Sequence, residues 1–239
     1  MAFNFTYEQL DKHFAAAENN NYSKINLLEY FHNKNNLHNK TLVTRVDVDL
    51  KLSTIPKILK IMSKHGIRAT FFIRLHAPEY NPFSFENVLI LKEILEHGHE
   101  IGYHSEIVDA SHIWNEDASK ILQRDIKILE NYLEIDIKGI ASHGGNTGLN
   151  NLDFWKMNKP TDFDCLYEAY ENSESFSLFH DSLYVSDSEW CRWKTYDKGK
   201  LDVGNNSTLG DHLNKQAKLV YCLIHSDTYY NKHMYEGNG

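Results

Sequence analysis

Between residues 42 and 50 apolar and polar side chains alternate, so the stretch reads as a β-strand of period two. Leu42, Thr44, Val46 and Val48 fall on one face, and Val43, Arg45, Asp47 and Asp49 on the other. The period then changes to helical. Ile55, Ile58, Leu59 and Met62 predict a helix that Ser53 caps and that runs through Lys64, with Gly66 as its left-handed stop. Residues 67–75 predict a second strand, 85–97 a helix ended by Gly98, and 98–105 a short third strand. A helix over 115–133 turns Ile121, Leu122, Ile126 and Leu129 inward, and a fourth strand covers 137–141. Weaker strands are expected at 163–167 and 183–185, a short helix at 209–214, and a last apolar strand at 218–224. On that last strand Leu219, Tyr221, Leu223 and His225 share a face.

Strand and helix alternating at this spacing define βα units and a parallel α/β sheet. Residues 1–40 are polar and Asn-rich, with two helical stretches, and are expected to form an arm packed outside a barrel domain of residues 41–239. In parallel barrels the chemistry gathers where strands end and βα loops begin. The polar residues expected at those ends are Asp47, Asp49, Arg74, His104, His143, Asp187 and His225. Two carboxylates one strand repeat apart repel, so Asp47 and Asp49 require a neighbouring cation or a retained proton.

Composition narrows the choice. A net charge of −8 argues against a nucleic-acid partner, and three cysteines, an odd number without CxxC spacing, argue against a disulfide framework. No basic segment followed by an apolar run opens the chain, and no apolar stretch is long enough to span a bilayer, so a cytoplasmic protein is expected.

Five segments stand out in order: Val46–Asp–Val–Asp49, Gly98–His–Glu–Ile–Gly–Tyr–His–Ser105, Ala141–Ser–His–Gly–Gly145, Tyr184–Val–Ser–Asp–Ser–Glu–Trp190 and Leu223–Ile–His225. Together they resemble the motifs of the polysaccharide deacetylase family, metal-dependent carbohydrate esterases that include chitin and peptidoglycan deacetylases. The resemblance spans residues 41–226 and implies a distorted (β/α) barrel with fewer than eight strands. It implies Asp47 as general base, Asp49 and His104 as metal ligands, and His225 as general acid. The family's second ligand histidine would fall at position 108, which is Val108 here. His143 is the favoured replacement, ahead of His112, Asp109 and Glu106. The arginine expected near residue 142 is also missing, which leaves Arg45 or Arg74 to hold the base.

One carboxylate and two imidazoles with open positions suit Zn²⁺, and also Ni²⁺ or Co²⁺. Asp187 is placed to fix the tautomer of His225, and Trp190 and Trp193 either offer faces on which a sugar stacks or pack the barrel end. The expected reaction is removal of an acetyl group from an N-acetylated sugar. A nucleotide- or lipid-linked intermediate of surface-polysaccharide assembly fits a cytoplasmic enzyme. Two other readings are a metal-free barrel that hydrolyses a small cyclic amide and a non-catalytic sugar-binding protein.

Overall fold

The computed structural model describes residues 5–188, 190–232 and 236. Its strands are β1 (Ser23–Ile25), β2 (Thr41–Val48), β3 (Ala69–Ile73), β4 (Glu100–Ser105), β5 (Gly139–Ser142), β6 (Tyr167–Glu168), β7 (Leu183–Ser186), β8 (Lys194–Asp197), β9 (Lys200–Leu201) and β10 (Leu219–His225). The helices are α1 (Tyr7–Asn19), α2 (Leu27–Asn33), α3 (Ile55–Lys64), α4 (Phe85–Glu96), α5 (Ile107–Trp114), α6 (Ala118–Leu133), α7 (Leu178–Asp181) and α8 (Leu209–Asn214).

Along the sheet the order is β6-β5-β4-β3-β2-β10-β7, parallel throughout, and β8 and β9 extend it antiparallel beyond β7. No strand pairing among the described residues joins β6 to β7, so the barrel has seven parallel strands and one open seam. Aromatic side chains pack at that seam, where the hydroxyls of Tyr170 and Tyr184 meet at 3.1 Å.

The alternation on β2 sorts its side chains as the pattern demands. Leu42, Val46 and Val48 join the outer core with Ile55, Ile58, Leu59 and Met62 of α3. Val43 lies in the inner core with Phe72, Tyr221 and Leu223. Both faces are buried, as expected for a parallel sheet covered by helices.

Several predicted boundaries move, each for a local reason. Thr54 rather than Ser53 precedes α3, without a side-chain cap, because Pro56 sets the first turn. Residues 107–114 form α5 where no helix was expected. Residues 160–163 form a 3₁₀ turn opened by Pro160, so β6 is confined to Tyr167 and Glu168. The N-terminal segment divides. Helix α1 packs on α3 and α8 outside the barrel, whereas β1 pairs with the start of β2. Helix α2 presents its N-terminus to the N-terminal ends of the barrel strands, where Leu27 N–H donates to Thr70 Oγ1 (3.0 Å) and Leu28 N–H to Glu100 Oε2 (3.1 Å). Glu100 also accepts from Thr70 and Tyr167 (2.5 and 2.8 Å), and burial pushes its carboxyl up to about 7. The segment 1–40 is therefore partly an outer arm and partly the floor of the barrel.

Gly102 on β4 makes a close approach possible. A Cβ there would lie 2.4 Å from the Phe72 ring and 2.8 Å from the carbonyl oxygen of Gly139. Phe72 in turn supports the Arg45 guanidinium, 5.1 Å from its ring centre. Gly102→Ala is expected to destabilise the fold by about 1–3 kcal/mol through overpacking. The measurement is the urea midpoint, and an unchanged midpoint would show that the interior yields at no cost.

Candidate metal centre

Strand register assembles the site at the C-terminal rim. His225 of β10 lies directly beside Asp47 of β2, and His104 of β4 beside Ala141 of β5. Asp49 follows the end of β2 and His143 follows the end of β5. One donor atom each from Asp49, His104 and His143 lies within 4.8 Å of the other two.

His104 is buried, and its Nδ1 sits 2.8 Å from the carbonyl oxygen of Ala141. As a donor to that oxygen, Nδ1 carries the proton and leaves Nε2 as the free nitrogen. Nε2 lies 3.3 Å from both Asp47 Oδ2 and Asp49 Oδ1. Burial acts against the imidazolium, but the two carboxylates outweigh it and raise the pKa of His104. Burial also works against ionised Asp49, and the neighbouring histidines overcome it, leaving this carboxyl well below the usual range.

The donor set fits a divalent transition metal. Asp49 Oδ1 is a buried atom with no hydrogen-bond partner, and a carboxylate with two imidazoles is an ordinary ligand set for Zn²⁺. The other candidates for the third ligand lie elsewhere or are engaged. Val108 packs against the outer core. His112 is exposed on α5. Asp109 accepts from the backbone N–H groups of Asn146 and Thr147, both at 2.9 Å, from Thr147 Oγ1 at 2.5 Å and from Asn151 Nδ2 at 2.9 Å. Glu106 is paired with Arg74.

Two acid–base groups flank the cluster. Arg45 grips Asp47 with Nε and Nη2, each at 2.7 Å, while its guanidinium lies over Phe72 and Tyr170. Desolvation would raise the Asp47 pKa, but the Arg45 charge prevails and lowers it, so Asp47 stays ionised. On the other side His225 Nδ1 lies 2.6 Å from Oδ1 of the fully buried Asp187, and His225 Nε2 is 3.7 Å from Asp49 Oδ2. Burial disfavours its charge, yet the Asp187 carboxylate carries the pKa of His225 up to about 9. Asp187 also accepts the backbone N–H of His225, at 3.1 and 3.0 Å.

Two expected roles are corrected. Arg74 does not hold Asp47: its Nε and Nη2 bind Glu106 (3.1 and 2.8 Å), and Nη1 donates to the carbonyl oxygen of Asp49 (2.9 Å). Trp193 is not in the site. It is 5% exposed and packs on Phe5 and His13, with ring centres 5.6 and 5.4 Å away. Trp190, 43% exposed, does line the site cavity of about 580 Å³. The sequence reading missed much of the remaining wall: Tyr170, Phe179, His180, Tyr184 and Tyr196. They come from α7, β7, β8 and the segment after β6, elements too short for their polarity pattern to say which side chains face the site.

An open parallel barrel with an Asp–His–His cluster at its C-terminal rim, flanked by an Arg-held aspartate and an Asp-held histidine, defines an α/β-barrel protein with a candidate metal centre. The chain belongs to the polysaccharide deacetylase family, whose sequence profile matches residues 34–156. No curated protein matches it. It is similar in fold to a Streptococcus pyogenes deacetylase, PplD, in complex with acetate (14% identity, 56% of this chain and 61% of that one, TM-score 0.44). A second similar structure is a mutant of BA3943, described as a CE4 family pseudoenzyme with restored enzymatic activity (16% identity, 80% and 59%, TM-score 0.48). A third is IcaB from Ammonifex degensii (18% identity, 62% and 70%, TM-score 0.46). The chain thus covers about three-fifths of the length of the first two structures.

Proposed function

We propose that this chain is a metal-dependent hydrolase that removes the acetyl group from an N-acetylated sugar. The observation that carries the reading is the Asp49–His104–His143 cluster with Asp47 on one side and His225 on the other, in a member of the polysaccharide deacetylase family. A divalent cation held by Asp49, His104 and His143 supplies Lewis acidity toward the acetyl carbonyl and makes water a better nucleophile at neutral pH.

The chain's own groups do the rest. Asp47 accepts the proton of the attacking water. The pairing with Arg45 costs basicity but keeps the carboxylate ionised and fixes its direction. His225 donates a proton to the departing amine, which leaves poorly as an anion, and Asp187 holds that proton on the ring at neutral pH. Gly144 lines the cavity beside His143, where its backbone N–H is suited to a developing oxyanion. Gly145 serves the loop instead, since a Cβ there would lie 1.7 Å from the Leu149 carbonyl oxygen.

A second cavity of about 840 Å³ shares Leu152 and Tyr170 with the first and leaves room for whatever the sugar is attached to. This supports a sugar carried on a larger group, such as a nucleotide or a lipid, over a free monosaccharide. The test is acetate release from free, nucleotide-linked and oligomeric N-acetyl sugars, with Zn²⁺, Ni²⁺ or Co²⁺ supplied and with chelator as control. No acetate from any of them would sink the reading.

The pH profile follows from His225. Its raised pKa keeps the acid form present below about 9 and loses it as pH rises through that value. Asp187→Asn removes the charge that raises it, so the basic limb of kcat/KM is expected to shift toward lower pH. A limb that stays in place in Asp187→Asn would remove His225 from the role of general acid.

A further inference from the structure

In this chain the third member of the cluster sits on a loop rather than on a helix. A helical ligand is fixed by its own turn, but His143 leads into the irregular segment 144–150 and needs an external hold. Glu106 is placed to supply one. It occupies the N-cap position of α5 yet makes no capping bond with its side chain. Instead the side chain turns across the rim, buried, with Oε1 3.4 Å from His143 Nδ1, within ion-pair reach but not yet a hydrogen bond. The same oxygen accepts from Arg74 Nη2 (2.8 Å) and from Asn146 Nδ2 (3.0 Å), three residues beyond His143.

Arg74 completes a brace. It binds Glu106 through two nitrogens and donates through the third to the backbone carbonyl of Asp49. A single guanidinium–carboxylate pair therefore ties the end of β2, the start of α5 and the loop after β5. It spans the gap between Asp49 and His143, whose strands β2 and β5 are separated in the sheet by β3 and β4.

Resting on the metal-centre reading above, we propose that Glu106 is a positioning residue: it holds the Nδ1–H side of His143 so that Nε2 faces Asp49 and His104. Fixing the tautomer and the ring direction together removes the entropy that a loop histidine would otherwise lose on binding a cation. A carboxylate is required because an amide at this position can turn its NH₂ toward the ring, and because only a charge satisfies the buried Arg74.

The test is a chelator-competition titration of Zn²⁺ on the full chain, with wild type, Glu106→Gln, His143→Ala and the double variant. Glu106→Gln is expected to weaken Zn²⁺ binding about 10–100-fold, as loss of an outer partner of a ligand typically does. In the His143→Ala background the same change is expected to produce no further weakening, because Glu106 acts through that ring. Equal weakening in both backgrounds, or none in the first, overturns the proposal, since a purely structural contribution would be additive. Glu106→Asp keeps a charge for Arg74 but withdraws it from His143, and it is expected to weaken binding similarly should the glutamine variant not fold. Imidazole ¹⁵N spectra of the Zn²⁺-loaded wild type give an independent readout: a protonated Nδ1 and a metallated Nε2 on His143 support the assignment, and the reverse overturns it. A wild-type chain that takes up no Zn²⁺ would instead sink the metal-centre reading itself.

Discussion

Asp49→Ala and His104→Ala are each expected to lose stoichiometric metal while the far-ultraviolet circular dichroism stays that of the wild type. Both residues line the cavity from the ends of β2 and β4, and neither belongs to the hydrophobic clusters that hold the sheet and helices together. Removing a direct ligand should cost more affinity than the 10–100-fold typical of an outer partner. His143→Ala is expected to follow them, whereas His112→Ala, on the exposed side of α5, should bind as wild type does. Elemental analysis of the purified variants decides the matter. Full occupancy in Asp49→Ala or His104→Ala would dissolve the cluster as a binding site, and a loss confined to His112→Ala would move the third ligand to the helix.

Asp47→Asn should separate base from ligand. The metal is expected to remain, because Asp49, His104 and His143 are untouched, while turnover falls by about 10²–10⁴-fold, the usual worth of an acid–base group. The variant also leaves the buried Arg45 opposite a neutral amide, and breaking one side of a buried pair costs about 3–5 kcal/mol. Thermal unfolding therefore has to be measured alongside, and turnover expressed per folded molecule. Loss of metal together with turnover would make Asp47 a ligand and leave the base to be found elsewhere.

Arg45 illustrates how far a linear reading reaches. Period two puts Arg45 and Asp47 on one face of one strand, so their pairing was an available expectation before any fold was known. Arg74 was equally eligible from sequence. It stands at the end of the neighbouring strand, and nothing local says which carboxylate it meets. The choice follows from the position of Glu106, which depends on α5 beginning directly after β4. That helix was not anticipated, because 107–114 lacks a capping side chain and carries Ile113 and Trp114 on its exposed side.

The two tryptophans divide for a similar reason. Trp190 and Trp193 are three residues apart, and composition treats them alike. Trp190 adopts a left-handed backbone (φ 58°) just beyond β7 and opens onto the cavity, whereas Trp193 precedes β8 and is buried under α1. Only the antiparallel β8–β9 hairpin, absent from the βα pattern, puts them on different sides.

What the sequence determined by itself was the parallel α/β architecture and the strand ends that carry Asp47, Asp49, His104 and His225. These rest on local periodicity, and a strand's alternation decides which face each side chain takes regardless of the rest of the chain. The tertiary structure decided the third member of the cluster, the partner of Arg74, the open seam and the aromatic wall beside it. Those depend on loops whose course is set by contacts between residues far apart in sequence, such as Asp109 with Asn146 and Glu106 with His143. No period along the chain encodes a contact of that kind, because each loop is shaped by what the barrel presents to it after the strands have paired.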